Sequence, residues 1–266
     1  MSSFPPVQSV VRAIELIKAL NRHPISSLDM LHRETRLPKP SVVRLLQTLS
    51  SVGLVRQGPQ HGTYYLTSEV RSLAAGFHSE PKAIEVAAPV LEAFTARHKW
   101  PMTLTLLDGQ SAVVRYSTIP NSPLSLLHST VGLRHSLVSR ALGRAILAFC
   151  EADERDAIID LLQQSSLPED QPARDRARFV ALLDEVRERG YALRDPAVRP
   201  VSNTVAVPIF ERGRVLGSIG LTWFSSTHKP EEALRRYLAD LQQASSEISR
   251  RLSEGQAEHA PERLAG

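Results

Sequence analysis

Residues 28–67 read LDMLHRETRLPKPSVVRLLQTLSSVGLVRQGPQHGTYYLT, and the fold turns on how this stretch is parsed. Apolar Leu28 and Leu31 mark a short helix, and the chain turns at Arg36-Leu37-Pro38. A second helix then carries Val42, Leu45, Leu46 and Leu49 at the three-to-four spacing of a buried stripe. Its other face holds Ser41, Arg44, Gln47 and Thr48, groups that can donate to phosphate oxygens or to base edges in a major groove. Two short β-like runs, Leu54–Arg56 and Thr63–Leu66, flank the turn-rich Gly-Pro-Gln-His-Gly segment. A helix pair alone is a weak signal. A pair followed at once by a hairpin is the pattern of a winged helix-turn-helix, a DNA-reading device.

Working outward, a first helix spans about Val7 to Asn21, with Val7, Val10, Ile14, Ile17 and Leu20 along one stripe and Pro24 beyond its end. Ser26 or Ser27 can cap the next helix, and Ser26-x-x-Asp29 has capping-box spacing with Asp in place of Glu. After the wing, Ser68–His78 reads as a helix leaving the DNA module, with a boundary at Ser79-Glu80-Pro81. Residues 1–80 hold nine Lys and Arg against five Asp and Glu, which is all of the chain's net charge of +4; the remainder balances. A basic first part on a neutral second part fits polyanion binding by the first alone.

From Pro81 the pattern becomes mixed. Ala83–Arg97 is helical, and Thr103–Leu107 and Ala112–Ser117 alternate around Asp108-Gly109, a hairpin signal. A strand is expected at Leu124–His128, then helices over Arg140–Cys150, Glu154–Gln163 and Arg174–Arg189. Strands follow at Tyr191–Arg194, Asn203–Phe210 and Val215–Trp223, and a long helix at Glu231–Leu252. Antiparallel strands with helices outside them give an α+β class. The expected division is a winged helix-turn-helix at 1–67, a linker helix at 68–80, an effector-binding domain at 81–253 and a flexible tail at 254–266.

Composition narrows the function classes. With 266 residues, 42% hydrophobic and 23% charged, the chain can bury real cores. No apolar run approaches the ~20 residues of a membrane span, and MSSFPPVQSV lacks the pattern of a secretory signal, so a cytoplasmic protein with no membrane partner is expected. The single cysteine, Cys150 in AILAFC, reads as a small buried hydrophobe, and no metal or cofactor is indicated. His128 and His135 lie near Ser125, Ser129 and Ser136, but no Gly-x-Ser-x-Gly elbow, HExxH helix or phosphate loop accompanies them, so an enzyme is not expected.

Three stretches resemble the IclR-type transcriptional regulators, a likeness running from about Val7 to Leu252. They are LPKPSVVRLLQTLSSVGLVRQ with the YYLT strand, VGLRHSLVSRALGRAILAFC, and NTVAVPIFERGRVLGSIGLTW. Trp100-Pro101, SLLHSTVGLRHS and LAFC further resemble the branch that controls breakdown of aromatic acids such as hydroxyphenylpropionates. The resemblance implies a GAF-like effector domain, dimers or dimers of dimers, a palindromic double-stranded operator, and control of a catabolic operon by a small organic acid. It places Lys39, Ser41, Arg44 and Gln47 on the DNA-facing side of the recognition helix, Arg12 toward phosphate, and Arg56 and His61 at the base and tip of the wing. For each, the plainer reading is a solvated polar group.

For the effector pocket, the resemblance points to Ser139, Ala141 and Leu142 and to Thr204, Gly220 and Thr222 on the two C-terminal strands. Arg194 sits where some relatives carry an acid, so an inward guanidinium there would suit a carboxylate ligand. Arg134 is a second clamp candidate; either arginine could instead be structural or solvated. Two departures stand out. Arg36 replaces the family's usual glycine in the turn, where a left-handed backbone would cost about 1 kcal/mol. Pro40 replaces a Ser or Thr, which suits a first helical turn but removes a hydroxyl and an N–H. One other class stays open: a winged-helix module for protein contacts and dimerisation, without sequence-specific DNA binding.

Overall fold

The structure, a computed structural model, describes residues 5–60, 62–74, 82–125 and 129–254. Two compact units divide the chain near residue 80. The first contains α1 (Gln8–Arg22), β1 (Ser26–Ser27), α2 (Leu28–Thr35), α3 (Lys39–Ser51), β2 (Val55–Gln57) and β3 (Thr63–Leu66). The strands form an antiparallel sheet in the order β1-β3-β2. Leu16, Ala19, Leu20, Leu31, Val42, Leu46 and Leu49 are the buried centre that holds the three helices together. Arg36 closes α2 at φ 57° and ψ 13°. This is the left-handed turn that the glycine position of the resemblance demands. Pro40 lies in the first turn of α3, whose helix-opening carbonyl is that of Pro38.

Several expectations for this unit are corrected. The stripe Val7, Val10, Ile14 is not the core face of α1; those residues are 65%, 54% and 47% exposed. The stripe holds at its far end, where Leu20 is buried and Ile17 packs against the core, and Leu16 and Ala19, which it left out, are buried with them. The cap of α2 is Ser27, which accepts from the Met30 N–H. Ser26 pairs with Tyr64 in the sheet and donates its hydroxyl to the His23 carbonyl, so no Ser26–Asp29 box forms. Ser68–Ala74 is 3-10 helix rather than α-helix. The rest of the expected linker helix, His61 and the tail beyond 254 lie outside the described residues.

The second unit is built on a six-stranded antiparallel sheet, order β6-β5-β4-β9-β8-β7. Its strands are β4 (Met102–Asp108), β5 (Ser111–Ser117), β6 (Arg134–Ser136), β7 (Ala192–Leu193), β8 (Ser202–Glu211) and β9 (Arg214–Phe224). One face packs against α4 (Lys82–His98) and α8 (Pro230–Glu254) through Leu91, Met102, Leu104, Ile219, Leu221, Trp223 and Leu241. The other carries α5 (Ala141–Leu147), α6 (Ala152–Gln163) and α7 (Arg176–Arg189) over Leu137, Ile146, Leu147, Ile159 and Leu183. Leu124 is in a turn, so the expected strand there does not start where the sequence placed it, and 126–128 lie outside the described residues. No helix among the described residues is long and apolar enough to cross a membrane.

Candidate DNA-reading surface and effector site

On α3 the buried Val42, Leu46 and Leu49 fix which side chains face outward. Arg44 and Gln47 are exposed and Ser41 half-buried; at three-residue spacing they form one stripe. Among the described residues the side chains of Arg44 and Gln47 make no hydrogen bond or ion pair, so both are free to meet a ligand. Thr48 differs: its hydroxyl donates to the Arg44 carbonyl at 3.0 Å and is turned onto its own helix. Lys39 is also engaged. Its Nζ lies 2.6 Å from the Asp29 carboxylate across the α2–α3 turn, and the Lys39 hydrogen bond holds the Asp29 carboxyl below its ordinary pKa. Arg56 is exposed on β2 opposite Tyr65, and Arg12 is exposed one turn before Leu16 on α1.

The effector site starts from alternation along β9. Ile219, Leu221 and Trp223 enter the α4–α8 core, which leaves Ser218, Gly220 and Thr222 on the α5 side. Register places Thr204 beside Thr222 and Ala206 beside Gly220. A Cβ on Gly220 would sit 2.8 Å from Leu142 Cδ2 and 3.1 Å from the Val205 carbonyl. Glycine here is what lets α5 lie on the sheet. The Leu142 carbonyl accepts from Ser218 Oγ at 2.8 Å, and the Thr204 and Thr222 hydroxyls are 3.0 Å apart.

Arg194, just past β7, is 8% exposed and aims its guanidinium at this floor. It donates to Thr204 Oγ1 at 3.4 Å and to Ser202 Oγ and the Arg199 carbonyl at 3.2 Å each. No carboxylate among the described residues pairs with it. Burial, then the charges of Arg140 and Arg199, lower its pKa to about 10. Ser139 closes the near side: its carbonyl accepts from the Asp195 N–H at 2.9 Å, and its hydroxyl donates to Glu169 at 3.3 Å. Glu169 is taken by Arg140, whose Nε donates at 2.8 Å and holds the carboxyl below its ordinary range.

The structure brings Ser139, Ala141, Leu142, Arg194, Thr204, Gly220 and Thr222 together. It does not bring Arg134. That residue is exposed on β6, at the sheet edge opposite β7, and is bound to the Asp108 carboxylate at 3.0 Å and carbonyl at 2.8 Å. Its neighbour His135 points the other way and feels Arg140, Glu169 and Arg194; burial first, then Arg140, lowers its pKa to about 4, so it is neutral. Sequence reasoning missed His135 as a pocket residue, together with Ser202, Glu169 and Arg144. Arg144 donates to the carbonyls of Val138 at 2.6 Å and Leu193 at 3.0 Å and to Asp195 at 3.2 Å, pinning the start of α5 to the end of β7. A lone arginine inside the apolar run ALGRAILAFC was the available signal, because a buried cation must be partnered.

A winged helix-turn-helix unit, followed in the same chain by a sheet-based unit that buries an arginine with no carboxylate partner among the described residues, has the layout of a ligand-sensing DNA-binding regulator. Residues 9–59 match the IclR helix-turn-helix domain, and residues 78–250 match the C-terminal domain of bacterial IclR transcriptional regulators. The chain belongs to the IclR family. It is 28% identical over 244 residues to the HTH-type transcriptional regulator KdgR of Escherichia coli K12, covering 91% of this chain and 92% of that one. The Thermotoga maritima IclR structure has the same fold, with a TM-score of 0.66 at 18% identity over 93% of this chain and 99% of that one. So does an IclR homologue from Microbacterium hydrocarbonoxydans crystallised with 4-hydroxybenzoate, with a TM-score of 0.60 at 17% identity over 92% and 98%.

Proposed function

We propose that this IclR-family regulator controls a catabolic operon in response to a small carboxylic acid of aromatic type. The observation that carries the reading is Arg194, a buried guanidinium without a carboxylate partner among the described residues, set against paired threonine hydroxyls. A ligand carboxylate would supply the missing charge in bidentate geometry. The aromatic preference draws on the Trp100-Pro101 and LAFC segments and on the 4-hydroxybenzoate held by the Microbacterium relative.

On DNA, Arg44 and Gln47 read the major groove, Ser41 and Lys39 fix the helix against phosphate, and Arg12, Arg56 and His61 add backbone contacts. The protein acts as a dimer or a dimer of dimers on a palindromic operator. The exposed apolar face of α1, formed by Val7, Val10, Val11 and Ile14, supports self-association; Val10→Glu with Ile14→Glu lowers the sedimentation coefficient if that face is used, and an unchanged value removes it from the interface. Acid binding shifts the population between two dimer geometries that differ in the spacing of the recognition helices, which half-sites demand in units of ~34 Å. The test is binding to the chain's own upstream intergenic DNA with and without a panel of acids. Binding no tighter than to scrambled DNA would instead favour a protein-contact module.

A further inference from the structure

Two of the cations near the effector site have no carboxylate partner among the described residues, and the nearby Asp170 carboxylate is held by the Ser136 and Ser165 hydroxyls instead. Arg140 is matched by Glu169, and Arg144 by Asp195. Arg194 and Arg199 are left, and neither has a carboxylate within 4.0 Å among the described residues. Glu169 is the carboxylate whose charge Arg194 feels among the described residues, and it is already held by Arg140 and Ser139.

Arg199 is not a surface arginine placed at random. It lies in the 195–201 loop at φ 55°, a left-handed conformation that non-glycine residues seldom adopt. That conformation turns its carbonyl inward to accept from both the Arg194 guanidinium and the Ser202 N–H at 3.2 Å. The loop is tied at both ends. Asp195 is held by the Ser139 carbonyl and Arg144, while Val201 and Pro200 accept from the Ser225 N–H at 3.1 Å and Ser225 Oγ at 2.7 Å. The backbone of Arg199 is therefore anchored beside the buried Arg194 guanidinium, its side chain is exposed, and its field reaches both Arg194 and His135. The side-chain groups that Arg194 touches are the Thr204 and Ser202 hydroxyls, which carry no charge to offset it.

We infer that the effector carries two anionic groups, the first bound by Arg194 on the pocket floor and the second by Arg199 at its mouth, and that Arg199 selects dicarboxylates over monocarboxylates. A mono-acid neutralises one of the two cations; a small diacid neutralises both. The inference rests on the reading of the site as an acid pocket.

Calorimetric titration of the full-length protein at fixed ionic strength tests it with matched acids. Butyrate and hexanoate are compared with succinate and adipate, and benzoate with benzene-1,3- and 1,4-dicarboxylate. The best diacid binds about tenfold or more tighter than its mono-acid counterpart, the size of one added charge-assisted bond. Arg199→Gln brings that ratio toward one, Arg199→Lys retains part of it, and Arg194→Gln weakens both classes. Mono-acids that bind as tightly as every diacid, or an Arg199→Gln ratio equal to wild type, would overturn the second charge while leaving the acid pocket standing. No binding by either class would overturn the pocket reading and the inference together.

Discussion

Replacing Arg194 by Met separates a side chain that waits for a ligand from one that holds the fold. The lowering of its pKa from 12.5 to about 10 corresponds to a penalty of roughly 3 kcal/mol on the charged form, at about 1.4 kcal/mol per tenfold. Against this stand three hydrogen bonds of 3.2–3.4 Å to neutral acceptors. These lie at the long limit of such contacts, and together they contribute about 1–2 kcal/mol. Methionine fills similar space, and two of the three partners it leaves are still served: Thr204 bonds Thr222, and the Arg199 carbonyl keeps the Ser202 N–H, while Ser202 Oγ gives up its bond to Arg194. Arg194→Met is therefore expected to stabilise the ligand-free protein by about 1–2 kcal/mol, a rise in Tm of roughly 2–8 °C for a domain of this size. Scanning calorimetry of the full chain reads the shift, and the stabilisation by added acid seen in the wild type should vanish in the variant. A fall of several degrees in the ligand-free Tm would show that the guanidinium braces the 195–201 loop, and would refute the argument from its unpaired charge.

Arg44→Ala is expected to cost about 1–3 kcal/mol on a specific operator while sedimentation still reports the wild-type oligomer; equal operator affinity would remove Arg44 from the contact surface. Asp29→Asn should release Lys39, raise affinity for any duplex and steepen the salt dependence by about one counterion, whereas an unchanged slope would leave Lys39 off the phosphates. His135 is neutral in the folded protein, with a pKa of about 4 against 6.5 for the ordinary side chain. The unfolded chain therefore takes up the extra proton between those values, and stability falls as pH drops from 6.5 to 4, by about 2–3 kcal/mol at the acid end. Denaturant unfolding of wild type and His135→Gln across that window should show the wild type losing more; parallel curves would contradict the assignment.

What the sequence revealed depended on whether a periodicity had one explanation or two. The α3 stripe of Val42, Leu46 and Leu49 was legible because a single apolar face must enter the core. On α1 two apolar faces compete, and the stripe was right at Leu20 but misled at Val7, Val10 and Ile14, since Leu16 and Ala19 are the residues that join Leu20 inside. The two-residue β1 and three-residue β6 are too short to carry an alternation, so neither was foreseen. In the pocket, Arg194, Thr204, Gly220 and Thr222 came from the resemblance; strand register unites the last three, and hydrogen bonds to Thr204 bring in Arg194. Arg134 failed because adjacent strand residues face opposite ways; His135, one position on, is the residue aimed at the charged cluster. The Lys39–Asp29 and Arg140–Glu169 pairs depend on distances between elements that no local pattern encodes.

The central claim is that one chain reads DNA and answers to an acid. Its most direct test is equilibrium binding of the purified protein to its own upstream intergenic DNA, against scrambled competitor, with and without aromatic and short-chain mono- and dicarboxylic acids. The account predicts sequence-specific binding whose affinity changes with at least one acid and no longer changes in Arg194→Met. Specific binding indifferent to every acid would contradict the sensor half of the claim, and binding equal to that of scrambled DNA would contradict the reader half.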